Sequence, residues 1–114
     1  MILTSIILGT AFILGTGLIV AYWNNLLDWV KRAIHKVKEV INQVVYGSKV
    51  FIKKMEEAIK EISKHYSQDE LGRWKETIVS REIPASEVPA EIREKAVYMN
   101  QEVDITNELE LKLS

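Results

Sequence analysis

The chain contains no cysteine, and proline and glycine are scarce, at two and five among 114 residues. Without cysteine there is no disulfide scaffold, no thiol nucleophile and no cysteine-ligated metal. A glycine-rich phosphate loop and a Gly-x-Ser-x-Gly elbow are also missing, and His35 and His65 have no second ligand at metal-binding spacing. We therefore expect no catalytic site, no metal, no cofactor and no small-molecule substrate, and the sequence predicts that the protein is not an enzyme.

Charged side chains are absent from the first 27 residues. Residues 28–68 then carry nine Lys or Arg against five acids, and residues 69–114 carry six against eleven, although the net charge is only -1. A chain that is neutral, then basic, then acidic is expected to have three regions in different surroundings. We assign residues 1–23 to a transmembrane anchor, residues 24–66 to a basic amphipathic helical region and residues 67–114 to an acidic C-terminal region.

The uncharged first segment has the length of a membrane span. Residues 2–23 would extend about 33 Å as a helix, enough for a hydrocarbon core about 30 Å thick. No Lys or Arg precedes the run and no Ala-x-Ala site follows it, so we expect a retained anchor. The positive-inside rule then places the N-terminus outside and the C-terminus in the cytoplasm. The residues expected at the membrane interface are Tyr22, Trp23, Lys31, Arg32, Lys36 and Lys38.

Apolar residues continue beyond Trp23 at helical spacing as far as Val44. The opposite face is basic, which predicts a helix that lies on an anionic lipid surface or binds a partner. The pattern breaks at Gly47 and resumes at Val50, so residues 49–66 are expected to form a second helix that folds back across a hinge near Gly47. The residues expected to pack this helical hairpin or coiled-coil-like pair are Leu26, Val30, Val37, Val40, Val44, Phe51, Met55 and Ile62.

The acidic C-terminal region carries mixed signals. A capping box at Ser67–Glu70 predicts that a helix begins there, although residues 77–83 also alternate as a strand would. The residues before Pro84 and Pro89 are expected to be extended, and Pro89 is expected to begin a helix. Residues 103–113 alternate apolar and polar side chains, which predicts a terminal strand that pairs internally or with a partner. The residues expected to bind a partner are Trp74, Ile83, Val88, Ile105, Leu109, Leu111 and Leu113.

The resulting fold class is mainly α, with one transmembrane helix, amphipathic helices and a small mixed α/β or partly extended C-terminal tail. The expected function is that of a single-pass membrane-anchored accessory or adaptor subunit, which assembles through its amphipathic helices and recruits a protein through its tail. Membrane lipid, a protein partner or a second copy are the expected partners. Nucleic acid is not expected, because the basic block adjoins the predicted membrane. The alternatives are a membrane-active oligomer of the holin or small-toxin kind and a secreted domain behind a signal peptide.

Overall fold

The described part of the chain forms a five-stranded sheet with a long helix against one face. The computed structural model describes the backbone of residues 2–10 and 19–113, and the side chains of residue 6 and residues 19–109. The strands are β1 (Ile2–Thr10), β2 (Val45–Lys54), β3 (Ala58–Gln68), β4 (Trp74–Pro84) and β5 (Glu102–Asp104). The helices are α1 (Ile19–Ile41), a short 3-10 turn (Ala85–Glu87), α2 (Ala90–Lys95) and α3 (Thr106–Leu113).

The strand order across the sheet is β1-β4-β3-β2-β5. Strands β2, β3 and β4 form an antiparallel meander in which Ser48 pairs with His65 and His65 pairs with Thr77. β1 runs parallel to β4, with Ile6 opposite Val79, whereas β5 pairs with β2 over three residues only. Because β1 and β2 are separated by two strands, the connection that contains α1 crosses the sheet, and this places the helix over one face.

α1 is amphipathic, as the three-and-four spacing predicted, and its apolar stripe packs against the sheet. The buried side chains of the helix are Tyr22, Trp23, Leu26, Trp29, Val30, Ala33 and Val37. They share one core with Val50 and Ile52 of β2, and with Ile92 of α2 and Leu109 of α3. Burying a large apolar side chain contributes about 1.5–3 kcal/mol, so this stripe is a main source of stability. The two small C-terminal helices complete the core on the same side of the sheet.

The prediction of a membrane-spanning helix over residues 2–23 is wrong. Residues 2–10 form β1, residues 11–18 lie outside the described part of the chain, and α1 begins at Ile19. Within the described ranges, no helix has the length and apolar character needed to cross a membrane. The single-pass localisation with the N-terminus outside is therefore corrected. A continuous apolar run is compatible with a β-strand as well as with a spanning helix, and this explains the error.

The mainly α class is also wrong, because the second predicted helix is a β-hairpin formed by β2 and β3. The side chains of β3 that face α1 are Ile59, Glu61, Ser63, His65 and Ser67, and all are buried. Four of these five buried residues are polar, so apolar and polar residues do not alternate along β3. The two-residue repeat that identifies a strand is therefore not visible in the sequence. The predicted helical hairpin and coiled coil are therefore absent from residues 49–66. Gly47, the predicted hinge, lies within β2 at an irregular point of its register with β3.

The C-terminal elements correct two more predictions and confirm one. β4 occupies the region where the Ser67–Glu70 capping box predicted a helix, and the strand-like alternation of residues 77–83 was the correct signal. Pro89 does precede α2, as predicted. The terminal strand predicted over residues 103–113 is limited to β5, and α3 follows it. The side chain of Asp104 accepts the Thr106 N–H at 2.8 Å, which satisfies a backbone donor at the start of α3 and favours a helix there.

Candidate functional site

A buried ion pair joins α1 to the sheet. Arg81 of β4 and Glu61 of β3 are register partners, and the Arg81 Nε–H donates to Glu61 Oε1. A second guanidinium N–H donates to Asn25 Oδ1 of α1. The guanidinium carbon of Arg81 lies 4.8 Å from the ring centroid of Trp29, and the Glu61 and Arg81 side chains are 0% and 3% exposed. The pair therefore contacts the helix through both a hydrogen bond and an aromatic ring.

The Tyr22 hydroxyl is buried beside the Glu61 carboxylate, and Trp29 Nε1 is buried without a hydrogen bond partner among the described residues. Burial raises the pKa of Glu61, although the positive charge of Arg81 opposes the shift. Burial also raises the pKa of Tyr22, and the nearby carboxylate of Glu61 adds to this effect. Because solvent does not reach these groups, the cluster holds the helix on the sheet and offers no surface to a substrate.

A second buried cluster surrounds His65 of β3. Ser48 Oγ lies 2.7 Å from His65 Nδ1, and Ser63 Oγ lies 2.8 Å from His65 Nε2. In the neutral imidazole one ring nitrogen donates and the other accepts, so the two serines satisfy both. Burial lowers the pKa of His65 to about 4. A base this weak is poorly suited to activate a serine near neutral pH, since a general base works best with a pKa near the working pH.

The accessible candidate site is a set of exposed apolar side chains at the end of the sheet where β2 and β4 begin. We call Val44, Tyr46, Leu71 and Trp74 the end patch; their exposed fractions are 65%, 62%, 77% and 49%. The Tyr46 and Trp74 rings meet edge to face, with centroids 5.8 Å apart. Strands β2 and β4 flank the last residues of β3, and this pairing brings the two rings together. The patch thus combines side chains from three separate segments.

The turn between β3 and β4 holds Leu71 in a defined position. Asp69 Oδ1 accepts the backbone N–H groups of Leu71 and Arg73, each at 2.9 Å, and Asp69 Oδ2 accepts the Arg73 Nε–H at 2.7 Å. Gly72 has φ +76°, a conformation that glycine adopts without strain. Burial disfavours the charged form of Asp69, but the hydrogen bonds from Arg73 and Leu71 outweigh this and lower its pKa. The carboxylate therefore stays ionised at neutral pH and keeps the turn closed.

Two shallow clefts border the end patch. One, of about 400 Å³, is lined by Lys38, Asn42, Gln43 and Val44. The other, of about 450 Å³, is lined by Gln43, Asp69, Glu70, Leu71, Arg73 and Lys75. Gln43, two residues after α1 ends, lines both clefts and therefore lies between Val44 and the β3–β4 turn. This places lysines from α1 and β4 next to the exposed apolar side chains.

The predicted membrane-interface residues divide into two groups. Tyr22 and Trp23 are buried in the core against the sheet, and their rings meet edge to face with centroids 5.8 Å apart. The exposed members, on the outward face of α1, are Lys31, Arg32, Lys36 and Lys38. The aromatic residues therefore serve the interior of the fold, and the four basic residues form the solvent-facing side of the helix.

The predicted packing residues are also split. Leu26, Val30 and Val37 lie in the core beneath α1, whereas Val40 and Val44 are exposed. Phe51 and Met55 are half-buried, and Ile62 is buried within β3. Ile62 and Phe51 are register partners on the sheet face opposite α1. The set predicted to form one helical seam thus serves both faces of the sheet.

Of the predicted partner-binding residues, the structure places Trp74 in the end patch. Four others are buried, namely Ile83, Val88, Ile105 and Leu109. Leu111 and Leu113 lie in α3, outside the residues whose side chains are described. The sequence analysis did not select Tyr46 or Leu71 as binding residues. Asp69 and Gly72 are turn-forming residues between two strand segments, and this signal could have predicted that Leu71 lies in an exposed turn.

Potential ligands for a metal ion do not cluster in the described residues, where no three His, Asp or Glu side chains come together. The comparisons with known proteins give no family for the chain. A scan against family models, a search of curated proteins and a search of solved structures each returned no match. In the described part of the chain, the end patch is accessible to solvent, whereas the clusters around Glu61 and His65 are buried.

Proposed function

We propose that the protein is an accessory or adaptor module that recruits a protein partner through the end patch. The observation that carries this proposal is the contact between the exposed rings of Tyr46 and Trp74, with Val44 and Leu71 also exposed in the segments that adjoin them in the chain. Contiguous exposed apolar residues mark interaction surfaces, and aromatic side chains supply a large share of binding energy at such surfaces. Tyr46 and Trp74 are the expected anchors.

The backbone that carries the end patch is ordered, and this order supports a role in binding. Leu71 is presented by a turn that three hydrogen bonds to Asp69 close, and Tyr46 and Trp74 are carried by paired strands. A surface that is already ordered loses less conformational entropy when a partner binds. The bordering clefts supply depressions into which partner side chains can fit.

The proposal keeps the recruiting role expected from the sequence and changes how it is performed. The apolar stripe of α1 packs in the core, so assembly through that stripe and anchoring by a span are no longer part of it. Trp74 retains the role expected for it, but it acts with Tyr46 and Leu71 rather than with a terminal strand. The two buried polar clusters, which are closed to solvent, favour a binding role over a catalytic one.

The test is capture of partners by the tagged full-length chain, compared with two matched double variants. Tyr46→Ser/Trp74→Ser removes the anchors of the end patch. Val97→Ser/Tyr98→Ser removes two apolar side chains that are equally exposed, at 62% and 69%, but lie in the loop after α2. We expect a stoichiometric partner to bind the wild type and the Val97/Tyr98 variant and to be lost from the Tyr46/Trp74 variant. Equal capture by all three chains would contradict the proposal.

A further inference from the structure

We propose that the protein partner presents an arginine to the end patch, with its guanidinium stacked on an exposed ring of the Tyr46–Trp74 pair and bound to the carboxylate of Glu76. This inference rests on the proposed function and specifies the chemistry that the partner must carry. A planar guanidinium can stack on an aromatic ring and donate two parallel hydrogen bonds to a carboxylate, so a site that offers both groups favours arginine.

Trp74 and Glu76 lie together on the sheet face opposite α1. Gln68 pairs with Trp74 and Tyr66 pairs with Glu76, and these residues of β3 point away from the helix, as Ile62 does. Residues two apart on a strand share one face, and their Cα atoms are roughly 7 Å apart at about 3.3 Å per residue. One guanidinium is wide enough to contact both the ring and the carboxylate.

The charge beside the rings is negative. The residues of β3 that pair with Trp74 and Glu76 are uncharged, and the Tyr66 hydroxyl donates to the Glu76 carboxylate. Burial raises the pKa of Tyr66, the hydrogen bond and charge of Glu76 raise it further, and Asp104 and Glu102 add to the effect. A negative potential combined with exposed aromatic rings attracts a cation.

The lysines on the same face are directed toward β5. Lys64 Nζ pairs with Glu102 at 2.8 Å and lies 4.4 Å from the ring centroid of Phe51. Lys49, the register partner of Lys64, is close enough to Asp104 for their charges to interact. The positive charges of β2 and β3 at this end of the face are therefore balanced by the acids of β5, which leaves the carboxylate on β4.

The basic residues next to Trp74 in the chain do not fill the site either. Arg73 pairs with Asp69 inside the turn at 2.7 Å, and Lys75 lies on the α1 side of the sheet, where it lines a cleft. Among the described residues, no ion pair includes Glu76 and no cationic group lies over the Trp74 ring. The ring and the carboxylate are thus open to a further cation.

The interior of the protein contains the same three groups with the arginine in place. Arg81 donates to Glu61, and its guanidinium carbon lies 4.8 Å from the ring centroid of Trp29. Trp74 and Glu76 present the equivalent ring and carboxylate at the surface. Water weakens both interactions there, so one arginine is expected to bind weakly by itself and to act as part of a larger interface.

The experiment titrates the isotopically labelled full-length protein with N-acetyl-arginine amide and follows the Trp74 indole N–H and the β4 amides by NMR. N-acetyl-citrulline amide is the matched ligand control, because it has nearly the same shape without the charge. Glu76→Gln removes the negative charge and keeps an oxygen that can accept from Tyr66. Glu82→Gln is its matched control, since it removes an exposed carboxylate from the same face of β4.

We expect saturable shifts with the arginine compound and none with the citrulline compound. The dissociation constant should rise about two- to fivefold with Glu76→Gln and with Trp74→Leu, because each removes one surface contact of the guanidinium. It should stay within about 1.5-fold for Glu82→Gln. A partner captured through the end patch should likewise bind Glu76→Gln more weakly than Glu82→Gln.

Other results overturn the inference. Equal shifts with citrulline, no saturable shift with arginine, or equal effects of Glu76→Gln and Glu82→Gln would each refute the arginine site. Tighter binding of N-acetyl-lysine amide or tetramethylammonium would assign the rings to a different cation. In all of these cases the proposed function stands if Tyr46→Ser/Trp74→Ser still loses the partner. Capture that this double variant leaves unchanged would refute the proposed function, and the inference with it.

Discussion

The buried His65 makes the stability of the protein depend on pH in a way that can be calculated. Burial between α1 and the sheet lowers the pKa of this imidazole from 6.5 to about 4 in the folded state. The unfolded chain takes up a proton near pH 6.5, whereas the folded protein does so only near pH 4. Between these values the unfolded state binds more protons, so the free energy of unfolding falls as the pH falls.

The size of the effect follows from the shift. One pKa unit corresponds to 1.36 kcal/mol, so the full shift is worth about 3 kcal/mol, and roughly 2 kcal/mol of this is lost between pH 7 and pH 5. Urea unfolding followed by circular dichroism at a series of pH values measures this loss. His65→Gln keeps a side chain able to bond both serines, and it should lose less stability than the wild type over the same range.

His35 provides the control, because it is exposed on α1 and remote from the sheet. His35→Gln should retain the pH dependence of the wild type. The reasoning would be refuted if the wild type and His65→Gln lost equal stability on acidification. It would also be refuted if the His65 imidazole, followed by NMR, titrated in the folded protein above pH 6.

Three further predictions concern the buried pair and the β3–β4 turn. Arg81→Met leaves Glu61 buried without its partner and should lower the free energy of unfolding by about 3–5 kcal/mol, while adding Glu61→Leu should recover part of this loss in the same denaturation assay. Gly72→Ala forces an alanine to φ +76° and should lower the free energy of unfolding by about 1 kcal/mol, measured by thermal unfolding. Gly47→Ala is the control, because its Cβ meets open space, and it should change the same free energy by less than about 0.5 kcal/mol; equal effects would contradict the assignment of strain to Gly72. Asp69→Ala should accelerate amide hydrogen exchange in the turn and weaken partner binding, and unchanged exchange rates would show that the carboxylate does not order it.

How far the sequence predicted the fold depended on whether burial followed hydrophobicity. In α1 it does, and the stripe from Leu26 to Val37 was correctly predicted as one face of a helix. In β3 it does not, because Glu61, Ser63 and His65 are as deeply buried as apolar residues. Their burial is possible only because Arg81, Ser48 and the helix supply hydrogen bonds and charge. These partners are distant in sequence, so no local pattern could reveal them.

The candidate site was predicted in part. Trp74 was expected to bind a partner, and the structure places it on the surface beside Tyr46. Ile83, Val88, Ile105 and Leu109 carried the same expectation, yet all four pack in the core. An apolar residue in a short element or a connecting segment has the same sequence signature whether it faces solvent or the interior, so its exposure is decided by the tertiary structure.

The sequence by itself determined the helical character of α1, the start of α2 after Pro89, and the polarity of charge along the chain, because each depends on neighbouring residues. The tertiary structure decided that an apolar N-terminal run contributes an edge strand, that residues 45–68 form a hairpin, and that the exposed rings of Tyr46 and Trp74 meet at one end of the sheet. Strand pairing depends on partners far along the chain, and its free energy is gained only when those partners are in register. Local periodicity carries no record of that register, and this is why the sheet and the surface it creates appeared only in the folded protein.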